Sequence, residues 1–78
     1  MNMNTIIKII ESIVPGAKVD ENTNLLEHHI IDSFAIINLV ANIEDEYGVA
    51  VSARDIVPEN FETPAAILAM IERLEDED

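Results

Sequence analysis

Four residues near the middle of the chain are of types that do chemistry: His28, His29, Asp32 and Ser33. A nucleophilic serine needs a base within hydrogen-bond reach and a third group to orient that base. Closeness in sequence does not supply that geometry. No glycine-rich oxyanion or phosphate-cradling element accompanies the set, because the chain has only Gly16 and Gly48. The two histidines are adjacent, so their side chains diverge, and there is neither a third histidine nor a cysteine to complete a metal site. A second candidate lies upstream. Asp20, Asn22 and Asn24 match positions 1, 3 and 5 of a calcium-binding EF-hand loop. Leu25, however, stands where the sharp turn needs glycine, and Ile31 where a bidentate glutamate closes the shell. Neither cluster predicts a catalytic residue or a metal site. Ser33 itself remains. At a helix start its hydroxyl lies where free backbone N–H groups and positive potential favour a phosphate ester. On that motif alone, the ordinary alternative is that Asp32 or Ser33 only caps the helix.

The elements that position Ser33 follow from periodicity. Ile6, Ile9, Ile10 and Ile13 share one helical face over about residues 3–14, and Pro15-Gly16 ends it. Residues 15–31 show no sustained period and form a long loop, with Leu25, Leu26, Ile30 and Ile31 available to pack down on the core. A second helix starts at Asp32-Ser33, runs to Tyr47 and is closed by Gly48. Its core face is Ile36, Leu39, Val40, Ile43 and Tyr47. Phe34, Ile37 and Ala41 form a separate apolar stripe, more than so small a bundle can bury, which reads as a docking surface. A short third helix is expected from Ser52, with Asp55 completing a capping box and Pro58 limiting its length. Thr63 and Pro64 open the last helix, whose face is Ile67, Met70, Ile71 and Leu74.

The chain has 78 residues, enough for a single domain and too few for a catalytic domain with a deep pocket. Residues 75–78 are an acidic tail expected to fray. Sixteen acids against four bases give a net charge of −12, which argues against nucleic acid and for partners with basic surfaces. With 49% hydrophobic residues and a mean hydropathy of +0.17, the chain is not disordered despite its charge. The absence of cysteine removes disulfides and any thiol of the polypeptide itself. The N-terminal isoleucines are split by Lys8 and followed by Glu11, too short a run for a signal peptide. A monomeric cytoplasmic protein without membrane insertion is expected.

The stretch Asp32-Ser33-Phe34 resembles the Asp-Ser-Leu or Asp-Ser-Phe signature of acyl carrier and peptidyl carrier proteins. The match extends through Leu25-Leu26-Glu27 and Ile30-Ile31 before the serine. After it come Leu39-Val40, the run from Ile43 to Val49, Val51, Asp55-Ile56, Phe61, Thr63 and Ile67. The triplet and the Phe61, Thr63-Pro64 region look closest to D-alanyl carrier proteins. The resemblance covers about residues 24–74 and implies an all-α, acyl-carrier-like four-helix bundle. It implies 4′-phosphopantetheine attached covalently to Ser33 by a separate phosphopantetheinyl transferase, with Asp32 helping that enzyme to recognise the site and to position Mg²⁺. Phe34, Ile37, Ala41, Glu44 and Asp45 are the expected contacts for the transferase and later partners. The arm's thiol would hold an acyl or aminoacyl group as a thioester, loaded by a ligase and passed to a downstream transferase or synthase in fatty-acid, D-alanyl, polyketide or nonribosomal peptide chemistry. The carrier itself catalyses nothing. Two departures stand out. Many relatives have glycine three or four residues before the serine, where Ile30 and His29 stand here, which implies a different loop path. Relatives of the fatty-acid type often carry an acid at the place of Asn38. From another class, the alternative is an unmodified acidic helical adaptor that binds a partner helix through the Phe34, Ile37 and Ala41 stripe.

Overall fold

A helix leaves its first N–H groups without partners, and side-chain oxygens fill three of the starts here. In the computed structural model, which describes residues 2–77, α1 (Met3–Ile13) opens at Asn2, whose side chain accepts from Thr5 N at 3.0 Å. The α2 helix (Ser33–Tyr47) opens at Asp32, whose Oδ1 accepts from Ala35 N at 2.9 Å. A short α3 (Pro58–Phe61) follows, and α4 (Pro64–Asp76) opens at Thr63, whose hydroxyl accepts from Ala66 N at 3.0 Å. Among the described residues there are four α-helices, one 3₁₀ turn and no strand. The α4 helix packs against both α1 and α3, and α1 packs against α2. This is the expected bundle.

The third helix differs from its sequence reading. Ser52 does start a turn, and Asp55 reaches back to it as a capping-box acid does: Ser52 N and Ser52 Oγ both donate to Asp55 Oδ2, at 3.0 and 2.9 Å. That turn is a single 3₁₀ segment, Ala53–Asp55. Pro58 then begins α3 rather than limiting an earlier helix, because proline lacks only an N–H that the first helical position does not use. At the acidic end, Glu75 and Asp76 belong to the last turn of α4, and Glu77 N donates to Arg73 O at 3.2 Å. Asp78 lies outside the described residues.

The loop from 15 to 31 does pack down. Leu25 and Ile31 are buried with Ile6, Ile10, Leu39, Ile43, Val49, Phe61, Ile67, Met70, Ile71 and Leu74. Leu25 N donates to Glu62 O at 2.6 Å, and Ala65 N donates to Glu21 O at 3.1 Å. The loop is therefore tied to the start of α4, and one of that helix's free N–H groups is satisfied by the loop's backbone. Of the face assigned to α2, Leu39 and Ile43 are buried, whereas Ile36, Val40 and Tyr47 are half-buried at its margins.

Two polar groups invite tests. The hydrogen bonds from Ser52 N and Ser52 Oγ, aided by the charges of Arg54 and Arg73, hold the Asp55 carboxyl below its usual range. A depressed carboxyl contributes stability that is present above the unfolded pKa, about 3.9, and is lost as pH falls through the lower folded value. Ser52→Ala is thus expected to melt below the parent at pH 7 and to converge with it under strongly acid conditions, as thermal melts across pH would show. Tyr47 Oη is buried with no hydrogen-bond partner among the described residues, and desolvation with the charges of Glu46 and Glu75 raises its pKa. An unsatisfied buried hydroxyl costs about 1–3 kcal/mol. Tyr47→Phe is expected to raise the denaturation midpoint in urea without altering the slope.

Candidate functional site

The loop before α2 aims the chain into that helix. Asn24 Oδ1 accepts from Glu27 N at 2.8 Å, and Asn24 O accepts from His28 N at 3.2 Å, winding one helical turn. The turn ends as helices commonly do. Ile30 N donates to Leu25 O at 2.9 Å, His29 N donates to Leu26 O at 3.1 Å, and His29 takes a left-handed φ of 56°. His29 is one of the two positions at which the resemblance leads to an expectation of glycine. A left-handed φ is one that glycine adopts freely, so here an L-residue bears the strain. Left-handed backbone costs a residue with a Cβ about 1–2 kcal/mol. His29→Gly is expected to gain about 0.5–1 kcal/mol after the extra freedom of the unfolded glycine is charged against it. For a domain of this size that is a rise of roughly 2–8 °C in melting temperature.

Asp32 and Ser33 divide two tasks between them. The Asp32 side chain caps α2 through Ala35 N, and its backbone oxygen accepts from Ile36 N at 2.9 Å. Ser33 is the first helical residue and is exposed, and its hydroxyl makes no hydrogen bond among the described residues. The cap reading of this pair belongs to Asp32, which leaves Ser33 Oγ without a structural role. The chain has two other serines, and both hydroxyls are engaged. Ser12 Oγ donates to Ile9 O at 2.7 Å, and Ser52 Oγ donates to Asp55 Oδ2 at 2.9 Å. An exposed, unengaged hydroxyl at a helix start fits a phosphodiester-linked arm: Ser33 would hold it, and the free N–H groups of the first turn would face its negative charge. When bound, 4′-phosphopantetheine supplies a thiol that the cysteine-free chain lacks.

The remaining site residues lie along α2. Phe34 is 78% exposed, Ile37 is 65% exposed, and Ala41 is exposed on the same side. Asp45 is exposed beyond them. Glu44 has a structural bond as well, since its Oε2 accepts from Val51 N at 2.9 Å and fixes the chain that leaves Gly48. Ile56, 42% exposed at the end of the 3₁₀ turn, is a further apolar surface residue that periodicity did not single out, because a three-residue turn has no period to read. The other candidate chemistry is not assembled. His28 and His29 are both exposed, and the Asp32 side chain is turned to the helix backbone. In the upstream loop Asp20 Oδ1 accepts from Asn22 N and from Thr23 Oγ1, at 2.9 and 3.1 Å, so that carboxylate organises a turn. No group of metal-ligating side chains occurs among the described residues. No helix there is long and apolar enough to cross a membrane.

Comparison with known proteins agrees with this geometry. The family model described as "Phosphopantetheine attachment site" matches residues 4–71. The "Probable acyl carrier protein PigG" of Serratia sp. (strain ATCC 39006) is 38% identical over 56 residues, 72% of this chain and 64% of that protein. The chain thus spans just under two thirds of the length of that relative. The "D-alanyl carrier protein" of Enterococcus faecalis (strain ATCC 700802 / V583) is 32% identical over 91% of this chain and 94% of its own. A solved chain from a structure described as "Crystal structure of FAD-dependent dehydrogenase" superposes with a TM-score of 0.79 at 38% identity, over 86% of this chain and 99% of that one. Carriers of this kind bind 4′-phosphopantetheine covalently on a serine, hold an acyl or aminoacyl group on it, and leave catalysis to a modifying transferase and to biosynthetic enzymes. With the matched span covering every helix up to the last turns of α4, the chain belongs to the phosphopantetheine-attachment family of carrier proteins.

Proposed function

We propose that Ser33 is the attachment serine and that the chain presents its cargo from the N-terminal end of α2. The observation that carries this is the division of labour at the helix start. Asp32 does the capping, so derivatising Ser33 Oγ takes no hydrogen bond from the fold. Asp32 also keeps a negative charge beside the hydroxyl, where a transferase and its Mg²⁺ can read it. The family match does not favour the unmodified adaptor. The working partners are a phosphopantetheinyl transferase, a ligase that loads the acyl or aminoacyl group, and a downstream enzyme. The net charge of −12 favours enzymes with basic surfaces and disfavours self-association, in keeping with a monomer. The test is intact mass after incubation with coenzyme A, Mg²⁺ and a broad-specificity transferase. A gain of one phosphopantetheine group is expected, and an unchanged mass would overturn the reading.

One observation favours a particular downstream enzyme. The solved chain at 38% identity is covered almost completely while this one is covered to 86%, so that chain is the shorter of the two. A chain of fewer than 78 residues cannot house a doubly wound flavin-binding domain together with a substrate domain. It reads instead as a carrier within a structure of a flavin enzyme. A flavin-dependent dehydrogenase that removes two hydrogens from the thioester-bound group, with the flavin reduced in the same step, is therefore a candidate recipient. Flavin bleaching on mixing with the loaded chain, and not with the free acid of the same cargo, checks it.

A further inference from the structure

From Ser33 through Ile43 α2 carries no charged side chain. Its outward face there is Phe34, Ile37, Asn38 and Ala41, with Asn42 at the margin, all of them exposed. Asn42 Nδ2 donates to Asn38 O at 2.8 Å, and the Asn38 side chain makes no hydrogen bond among the described residues. At 1.5 Å per residue, Ile37 lies about 6 Å from Ser33 along the axis, Asn38 about 7.5 Å, Asn42 about 13.5 Å and Ile43 about 15 Å. A 4′-phosphopantetheine arm has a matching length. Roughly fourteen bonds run from Ser33 Oγ to its sulfur, about 16 Å at the 3.3–3.6 Å that three bonds of an extended chain span. On the same scale its geminal methyls sit about 5 Å along, and its two amides about 7–8 and 12–13 Å along. The methyls fall level with Phe34 and Ile37, the amides with Asn38 and Asn42, and the sulfur at the end of the charge-free stretch, short of Asp45.

We infer that the attached arm rests on this outward face of α2, with its methyls against Phe34 and Ile37 and its amides beside Asn38 and Asn42. The inference rests on Ser33 being the attachment site. The occupant is the chain's own arm because the face begins at the attachment hydroxyl and stays free of charge for the arm's whole length. A carboxylate inside that stretch would have to be desolvated beneath the arm and would repel its phosphodiester. A second copy would bring another −12 charges to the same face. Tethering makes a weak contact sufficient, since a short flexible linker holds its end at an effective concentration of about millimolar. The same side chains are the expected contacts of partner enzymes. The arm-free chain therefore offers the stripe open, whereas a partner of the loaded chain must lift the arm to dock.

The experiment uses the full chain, labelled with ¹⁵N and loaded to completion with excess transferase, coenzyme A and Mg²⁺. The chain has no cysteine, so the arm's sulfur is the one thiol that a nitroxide maleimide can take. Broadening of backbone amide signals then maps the arm's end. His29 is the reference, because at most about 14 Å of extended chain separates it from Ser33, a distance like that of Ala41 and Asn42. An arm on α2 is expected to broaden Ala41 and Asn42 at least about threefold more than His29, as an effective concentration in excess of the contact's dissociation constant requires. Phe34→Ala and Asn38→Asp, each loaded to completion by intact mass and fully helical by circular dichroism, are expected to remove most of that excess. Equal broadening on the two sides of Ser33, or an excess that both variants keep, overturns the inference. So does broadening of an arm-free ¹⁵N chain by an unlabelled chain carrying the nitroxide, which would give the face to another copy. Ser33→Ala separates the two levels. If it still takes the arm, the attachment site is wrong and the resting place falls with it; if it does not, equal broadening in the parent removes the resting place alone.

Discussion

Ser33→Ala is expected to accept no phosphopantetheine while melting within about 0.5 kcal/mol of the parent, the ordinary range for an exposed substitution. A serine at a helix start is commonly its cap, and losing a cap costs about 0.5–2 kcal/mol. Here the cap is the Asp32 side chain on Ala35 N, and Ser33 is already the first helical residue. Alanine is the best helix former, so nothing in α2 opposes it at that position. Asp32 gives the opposite pattern. Asp32→Ala removes the cap and the charge together, so it should lower both stability and loading. Asp32→Asn keeps a capping oxygen and loses only the charge, so stability should hold while loading falls. Intact mass after the transferase reaction reads the first property and a thermal melt reads the second. If Ser33→Ala still gained the arm, the attachment site would have to be sought at Ser12 or Ser52, whose hydroxyls are bound to Ile9 O and Asp55 Oδ2.

Much of this site was legible because it depends on local rules. Capping residues stop and start helices within three or four positions, so Asp32, Gly48 and Thr63 marked α2 and α4 correctly. The apolar period separated Leu39 and Ile43 from Phe34 and Ile37, and burial follows that division. What sequence could not give depends on residues distant along the chain. Ile36, Val40 and Tyr47 share the arc of Leu39 yet are half-buried, because depth within an arc is set by which neighbours cross it. Phe61 is fully buried, but it sits in a four-residue helix too short for any period. The bond from Leu25 N to Glu62 O joins a loop to the far end of the chain without a side-chain signal at either end. Glu44 was legible as an acid on α2, whereas its bond to Val51 N required knowing the path taken after Gly48.

The two faces of α2 should respond to substitution in opposite ways. Leu39 is 1% exposed, and its side chain is part of the core formed with Ile6, Ile10, Phe61, Ile67 and Ile71. Leu39→Ala removes buried surface and leaves a cavity that close-packed neighbours can only partly fill, at a cost of about 2–5 kcal/mol. Total stability for 78 residues is roughly 4–12 kcal/mol at the usual density per residue, so this one change can consume most of it. Ile37 lies two residues away and is 65% exposed. Ile37→Asp places a charge in water, with only a small loss of helix propensity and of partial burial, so its cost should stay near 0.5–1 kcal/mol. Docking should reverse the order. A carboxylate in the middle of an apolar contact must be desolvated without a partner, so Ile37→Asp should weaken binding more than Leu39→Ala does in the molecules that remain folded. Urea titrations give the stability half, with parallel slopes showing that both variants unfold from the same compact state. The transferase KM gives the other half. Equal destabilisation by the two substitutions would mean that α2 is rotated about its axis relative to this structure, and the outward stripe would then lose its role as a docking surface.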